Sequence, residues 1–186
     1  MPFLQELGVL NPDAAGVVLR IPFRDTSNND VGAQTVRRMV ESDDAATWRV
    51  LWEPSGKRLP YGLWRMRDAK DMGFICVVRH PWEAQTLWLH GIPAVAIANV
   101  DCWAETWGDH LNFLPNVFLV MPAGQSLDEF SPWLASTANK ERVRVVFLDG
   151  ADDVNAMYQQ APAKFKEVFE RLLGFGAQKA EAAPVA

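Results

Sequence analysis

A chain of 186 residues, of which 49% are hydrophobic and 22% charged, is typical of a globular protein with one domain, or one domain and a small lobe, around a sizeable core. The net charge of −5 argues against strong non-specific DNA binding by the chain as a unit, and no apolar run approaches the roughly 18 residues of a membrane-spanning helix. The N-terminus lacks the basic and apolar regions of a signal peptide, and the two cysteines form no metal-ligand spacing. We therefore expect a cytoplasmic protein without disulfides.

Residues 1–72 are predicted to form a small β-rich lobe. Its strands alternate apolar and polar residues, and the polar segment between the first two has the composition of a hairpin turn. The predicted elements are a helix over 4–10, strands over 17–23, 33–40 and 47–52, a turn over 25–32 and a helix over 65–72.

From residue 73 to residue 175, short apolar runs alternate with amphipathic segments. The predicted elements are strands over 74–78, 94–98, 116–121 and 143–148, and helices over 81–90, 101–111, 126–138, 152–160 and 163–173. Fully apolar strands joined by helices are typical of a mostly parallel sheet that is flanked by helices. The segment 176–186 is predicted to be a disordered tail, because it contains little to bury.

Three segments of this second part carry a family resemblance. They read Val78-Arg-His-Pro-Trp-Glu-Ala84, with Gly91-Ile-Pro-Ala94 behind it, then Leu119-Val-Met-Pro-Ala-Gly124, and then Gly150-Ala-Asp-Asp-Val-Asn155. In this order they resemble the signatures of Toprim domains, the catalytic fold of bacterial DnaG-type primases, type IA and II topoisomerases and OLD-type nucleases. The resemblance covers about residues 17–173 and is greatest to primase-like Toprim proteins of phages and mobile elements. It implies an α/β fold: a Toprim-like (Rossmann-like), mostly parallel sheet with a β-rich N-terminal lobe.

The resemblance also identifies which catalytic positions differ. The family carries Glu-Gly-Glu-x-Asp-Ala in the first segment and Asp-x-Asp in the second. In this chain Arg79, Pro81 and Glu83 stand at the acidic positions of the first signature, and Leu119 and Met121 at those of the second. Toprim chemistry uses Mg²⁺ that is held by clustered carboxylates, with a glutamate as general acid/base. Because leucine and methionine offer no oxygen and arginine repels a cation, we expect no metal, no cofactor and no catalysis.

Several basic residues are candidate contacts for nucleic acid. Arg79 and His80 follow the first apolar strand of the predicted sheet, and in open α/β sheets ligands bind at such strand ends. Arg79 could hold a phosphate there directly. The alternatives are that Arg79 pairs with Glu83 or Asp101 and that His80 is only a loop residue. Further candidates are Arg49, Arg58 and Arg65, which are interleaved with Trp48, Trp52 and Trp64. These residues form either a stacking surface for single strands, or a solvated strand face whose tryptophans are buried against the Toprim-like part of the chain.

The predicted function is that of a non-catalytic module of a replication or mobile-element system. Its partner would be single-stranded DNA or RNA, or a replication protein, with no membrane association; the oligomeric state is left open. One alternative is an active Mg²⁺-dependent primase- or nuclease-like enzyme that uses displaced acids, and another is a protein-binding scaffold. The acids available to such an enzyme are Glu83, Asp101, Asp149, Asp152 and Asp153.

Overall fold

The structure is a computed structural model that describes residues 2–9, 19–41, 45–54, 59–97, 110–128 and 140–174. The chain divides into two compact units, Met1–Trp64 and Arg65–Ala186. Several sequence predictions fall outside the described residues. They are the disordered tail over 176–186, nearly all of the helix over 101–111, most of the helix over 126–138, and the residues Arg58 and Asp101.

The N-terminal unit contains an antiparallel sheet with the strand order β1-β2-β3 among its described residues. Its elements are α1 (Pro2–Glu6), β1 (Leu19–Arg24), β2 (Asp30–Glu41) and β3 (Ala45–Trp52). The predicted β-hairpin is confirmed: the Asp25 side chain accepts the backbone N–H groups of Ser27 and Asn29 at 2.9 and 3.0 Å, and Asn28 is left-handed with φ 65°. The first helix ends earlier than predicted, because Gly8 adopts φ 71° and its N–H bonds to the Gln5 carbonyl.

Aromatic side chains form the core of this unit. Phe23 is fully buried and lies 4.5 Å from the Trp52 ring and 5.3 Å from the Tyr61 ring, between centroids. Trp64 meets Tyr61 edge-on at 5.1 Å. Trp52 and Trp64 are both partly exposed, and their rings pack against this cluster.

The C-terminal unit contains a parallel sheet, and among the described residues its strand order is β5-β4-β6-β7. Its strands are β4 (Phe74–Val78), β5 (Ala94–Ala96), β6 (Asn116–Pro122) and β7 (Val143–Leu148). Within its described residues, the helices of more than one turn are α2 (Met66–Met72), α3 (Pro81–Leu89), α4 (Val154–Gln160) and α5 (Phe165–Leu172). The predicted α/β fold, a parallel sheet with flanking helices and a β-rich N-terminal part, is confirmed. None of the helices within the described ranges combines the length and apolar character that a membrane crossing requires.

The turn between α3 and β5 fixes how the helix returns to the sheet. Gly91 is left-handed with φ 73°. The Ile92 N–H donates to the Leu87 carbonyl and the Gly91 N–H donates to the Trp88 carbonyl, both at 2.9 Å. This combination is a Schellman motif, which ends the helix. Trp88 is buried and its Nε1 donates to the Ala94 carbonyl at 2.9 Å. The end of α3 and the start of β5 thus lie at the same edge of the sheet.

Candidate functional site

The carboxyl ends of the described parallel strands meet at one edge, here called the strand-tip edge. Arg79 follows β4, Ala123 follows β6 and Asp149 follows β7. In open parallel sheets this edge is where ligands bind. The sequence prediction that Arg79 and His80 belong to it agrees with their places directly after β4.

Glu83 joins two loops at the strand-tip edge. Its Oε1 accepts the backbone N–H of His80 at 3.0 Å, which caps the start of α3, and its Oε2 accepts the backbone N–H of Val154 at 3.3 Å. Thr86 Oγ1 donates to Asn155 Oδ1 at 2.9 Å alongside. Because β6 separates β4 from β7 in the sheet, these bonds connect loops that do not belong to neighbouring strands.

Burial is the main influence on the pKa of Glu83, whose residue is only 4% exposed. Loss of solvation raises the pKa of its carboxyl group from 4.5 to about 7, although the N–H groups of Val154 and His80 act in the opposite direction. The nearby charge of Asp153 adds to the rise in pKa. Glu83 therefore changes charge near neutral pH.

The acids after β7 have different surroundings from Glu83. Asp153 caps α4, since its Oδ1 accepts the Ala156 N–H at 2.6 Å. Asp149 and Asp152 are exposed. Within the described ranges, no group of three His, Cys, Asp or Glu side chains is arranged so that it could hold a metal ion.

His80 and Trp82 form a parallel stacked pair beside Arg79. Their ring centroids are 4.4 Å apart with 14° between the planes, and both side chains are partly exposed. Burial, and then the positive charge of Arg79, lower the pKa of the His80 imidazole, while Asp153 acts to raise it. Sequence reasoning assigned no role to Trp82. The available signal was an aromatic residue two positions after a histidine at a strand tip.

Leu119 and Met121 are part of the sheet core. Leu119 is 1% exposed and lies opposite Val77 and Val145, and Met121 is fully buried opposite Phe147. Pro81, the first residue of α3, is also buried. Of the five positions that the sequence resemblance singled out, those of Pro81, Leu119 and Met121 are therefore occupied by buried apolar side chains.

The remaining basic candidates do not gather around Arg79 within the C-terminal unit. Arg65 forms an ion pair with Asp68 at 2.7 Å, and its guanidinium lies 4.7 Å from the Trp88 ring centroid. Since Trp88 is at the end of α3, Arg65 lies at the amino-terminal edge of the sheet, opposite the strand-tip edge. Arg49 is exposed on β3 in the other unit. Arg58 and the side chain of Trp48 are outside the described residues.

The chain resembles solved structures of primases. No family profile and no curated protein sequence matches the chain. The zinc-binding and RNA polymerase domains of Aquifex aeolicus primase superpose with a TM-score of 0.66 at 16% identity, over 91% of this chain and 44% of that one. The DnaG catalytic core superposes with a TM-score of 0.60 at 22% identity, over 92% of this chain and 62% of that one. A DnaG primase catalytic domain bound to single-stranded DNA has a TM-score of 0.57 at 20% identity, over 92% of this chain and 59% of that one.

These likenesses establish the fold: the chain has the Toprim-like α/β architecture of DnaG primase catalytic cores. The chain spans less than two thirds of the length of each of these solved chains. The likeness in fold therefore does not by itself assign the activities of those longer proteins to this chain.

Proposed function

We propose that this chain is a primase-related module that binds single-stranded nucleic acid at the strand-tip edge without Toprim metal chemistry. The observation that carries the proposal is the pairing of a primase-like fold with Arg79 at the tip of the central strand β4 and apolar, buried Leu119 and Met121 on β6. A solved DnaG catalytic domain of this fold is bound to single-stranded DNA, which supports the choice of ligand. A place in a mobile-element replication system remains our prediction from sequence.

The residues at the five positions that the resemblance aligns with Toprim acids do not fit a Mg²⁺ ion. Mg²⁺ requires near-octahedral oxygen coordination. Of the five positions, only Glu83 carries a carboxylate, and both of its oxygens already accept backbone N–H groups. A charge such as that of Arg79 repels each positive charge of the ion by about 4 kcal/mol at roughly 4 Å in an effective dielectric near 20. We therefore assign no step of the proposed function to a metal.

Arg79 supplies instead a direct partner for a phosphate. A guanidinium binds phosphate oxygens through two parallel N–H donors, and such charge-assisted bonds are about twice as strong as neutral ones. The net charge of the chain is −5, so attraction to a nucleic-acid backbone has to come from local positive groups such as this one. Binding should consequently be modest and strongly dependent on salt.

The test is the affinity for a short single-stranded DNA oligomer, measured by fluorescence anisotropy over a series of salt concentrations. The variant is Arg79→Glu, and the matched control is Arg67→Glu, an exposed position on α2, which precedes β4 and so lies away from the strand-tip edge. We expect R79E to lose about tenfold or more in affinity and R67E to lose less than about twofold. An affinity that is equal in wild type and R79E would contradict the proposal, and an affinity that is insensitive to salt would contradict it and favour a protein-binding scaffold.

A further inference from the structure

Trp82 differs from the other described tryptophan of the same helix. Trp88 is 5% exposed and its indole N–H is bonded to the Ala94 carbonyl, so it is a core residue. Trp82 lies in the first turn of α3 at the strand-tip edge, is partly exposed, and packs flat against His80. An indole in this position keeps apolar surface in contact with water, which a packing role alone does not require.

The stacked pair is held in place by contacts on the His80 side. The His80 backbone N–H is bonded to the buried Glu83 carboxylate at 3.0 Å, which fixes the backbone that carries the imidazole at the start of α3. Because the pKa of His80 is lowered by burial and by Arg79, the imidazole is mainly neutral at pH 7 and presents a flat, uncharged ring to the indole. The pair is thus a preformed aromatic surface with an arginine directly before it in the chain.

We propose that Trp82, supported by His80, is a stacking platform for a nucleobase of the single strand whose phosphate Arg79 contacts. The inference rests on the proposed function and adds the part of the ligand that is recognised: the base as well as the backbone. Base stacking on an aromatic side chain is tolerant of sequence, because every base has a π face. The platform therefore predicts binding that requires bases but shows little preference among them.

The test compares two single-stranded oligomers of equal length, an oligothymidylate and an abasic strand that retains its phosphates. We expect wild type to bind the oligothymidylate about tenfold more tightly than the abasic strand. Trp82→Ala should lose about tenfold in affinity for the oligothymidylate and keep its affinity for the abasic strand, whereas Trp82→Phe keeps most of both. The control is Phe113→Ala, an aromatic residue that is 47% exposed and precedes β6, hence near the other edge of the sheet; it should leave both affinities unchanged.

The outcomes separate this inference from the function on which it rests. If wild type binds neither oligomer, both fail. If R79E weakens binding of both strands but W82A binds each as wild type does, the proposed function stands and the platform is wrong. Should W82A not fold, equal affinity of wild type for the base-bearing and abasic strands overturns the platform without any variant. A loss in W82A that is as large for the abasic strand as for the oligothymidylate also overturns it, because that result indicates a structural role.

Discussion

Glu83 and Val154 lie 71 positions apart in the chain, yet the Glu83 Oε2 atom accepts the Val154 backbone N–H at 3.3 Å. The other carboxylate oxygen accepts the His80 N–H, so one buried side chain connects the start of α3 with the start of α4. The loops that carry Arg79 and Asp153 are thereby fixed relative to each other. A ligand that binds at this edge meets a preorganised surface, which lowers the entropic cost of binding.

Titration of Glu83 should make stability fall between about pH 4.5 and about pH 7. Its pKa rises from 4.5 to about 7 on folding, so the native state binds the proton more tightly than the unfolded chain. The resulting stabilisation of the native state is complete below the unfolded pKa of 4.5 and is lost as the pH rises through the folded pKa of about 7. A rise in pKa of this size corresponds to about 3 kcal/mol of unfolding free energy.

Glu83→Gln isolates this effect, because glutamine does not titrate. Urea unfolding should be measured for both proteins at several values between about pH 4.5 and about pH 8. The difference in unfolding free energy between wild type and E83Q should change by about 3 kcal/mol across that range, with wild type relatively more stable at the acidic end. A difference that stays constant with pH would refute the assigned titration.

Removal of the Asp153 cap should destabilise the protein by about 1 kcal/mol. The Asp153 Oδ1 atom satisfies the Ala156 N–H at the start of α4, and N-cap substitutions by alanine cost about 0.5–2 kcal/mol. The adjacent and exposed Asp152 is the matched control, and D152A should change stability by less than about 0.5 kcal/mol. Chemical denaturation of both variants checks this prediction, and equal losses would contradict the assignment of the cap.

An aspartate at position 121 should not create a metal site. Met121 is fully buried, so Met121→Asp places a carboxylate in apolar surroundings and should cost at least about 3 kcal/mol. The control Met121→Leu keeps volume and polarity and should cost less than about 1.5 kcal/mol. Thermal unfolding with and without millimolar Mg²⁺ is the measurement. A gain of several degrees for M121D on addition of Mg²⁺ would show that the neighbouring residues can complete a metal site after all.

The sequence was sufficient to predict the strands of the sheet because local signals delimit them. β4 runs from Phe74 to Val78 as predicted, between Gly73, which adopts φ 74°, and the polar Arg79-His80 pair. β7 also runs from Val143 to Leu148 as predicted, with Asp149-Gly150 directly after it, although Arg144 interrupts its apolar residues. In each case the apolar pattern and the flanking residues agree, so tertiary packing had no local preference to override.

The candidate site was less accessible from sequence, because its contacts join distant segments. The bond between Glu83 and Val154 depends on how the loop after β7 crosses to α3, and no local pattern encodes that path. The stacking of His80 on Trp82 depends on side-chain rotamers at the start of α3. The place of Arg65 at the opposite edge from Arg79 follows only from the packing of α2 near the end of α3.

The most direct test of the account is the dependence of single-stranded DNA binding on a divalent ion. The affinity of wild type should be measured in EDTA and in millimolar Mg²⁺ at matched ionic strength. We predict affinities that agree within about threefold, with R79E weakened in both, because Arg79 contacts the phosphate without an intervening metal. Binding that occurs only in Mg²⁺, and that persists in R79E, would contradict the account.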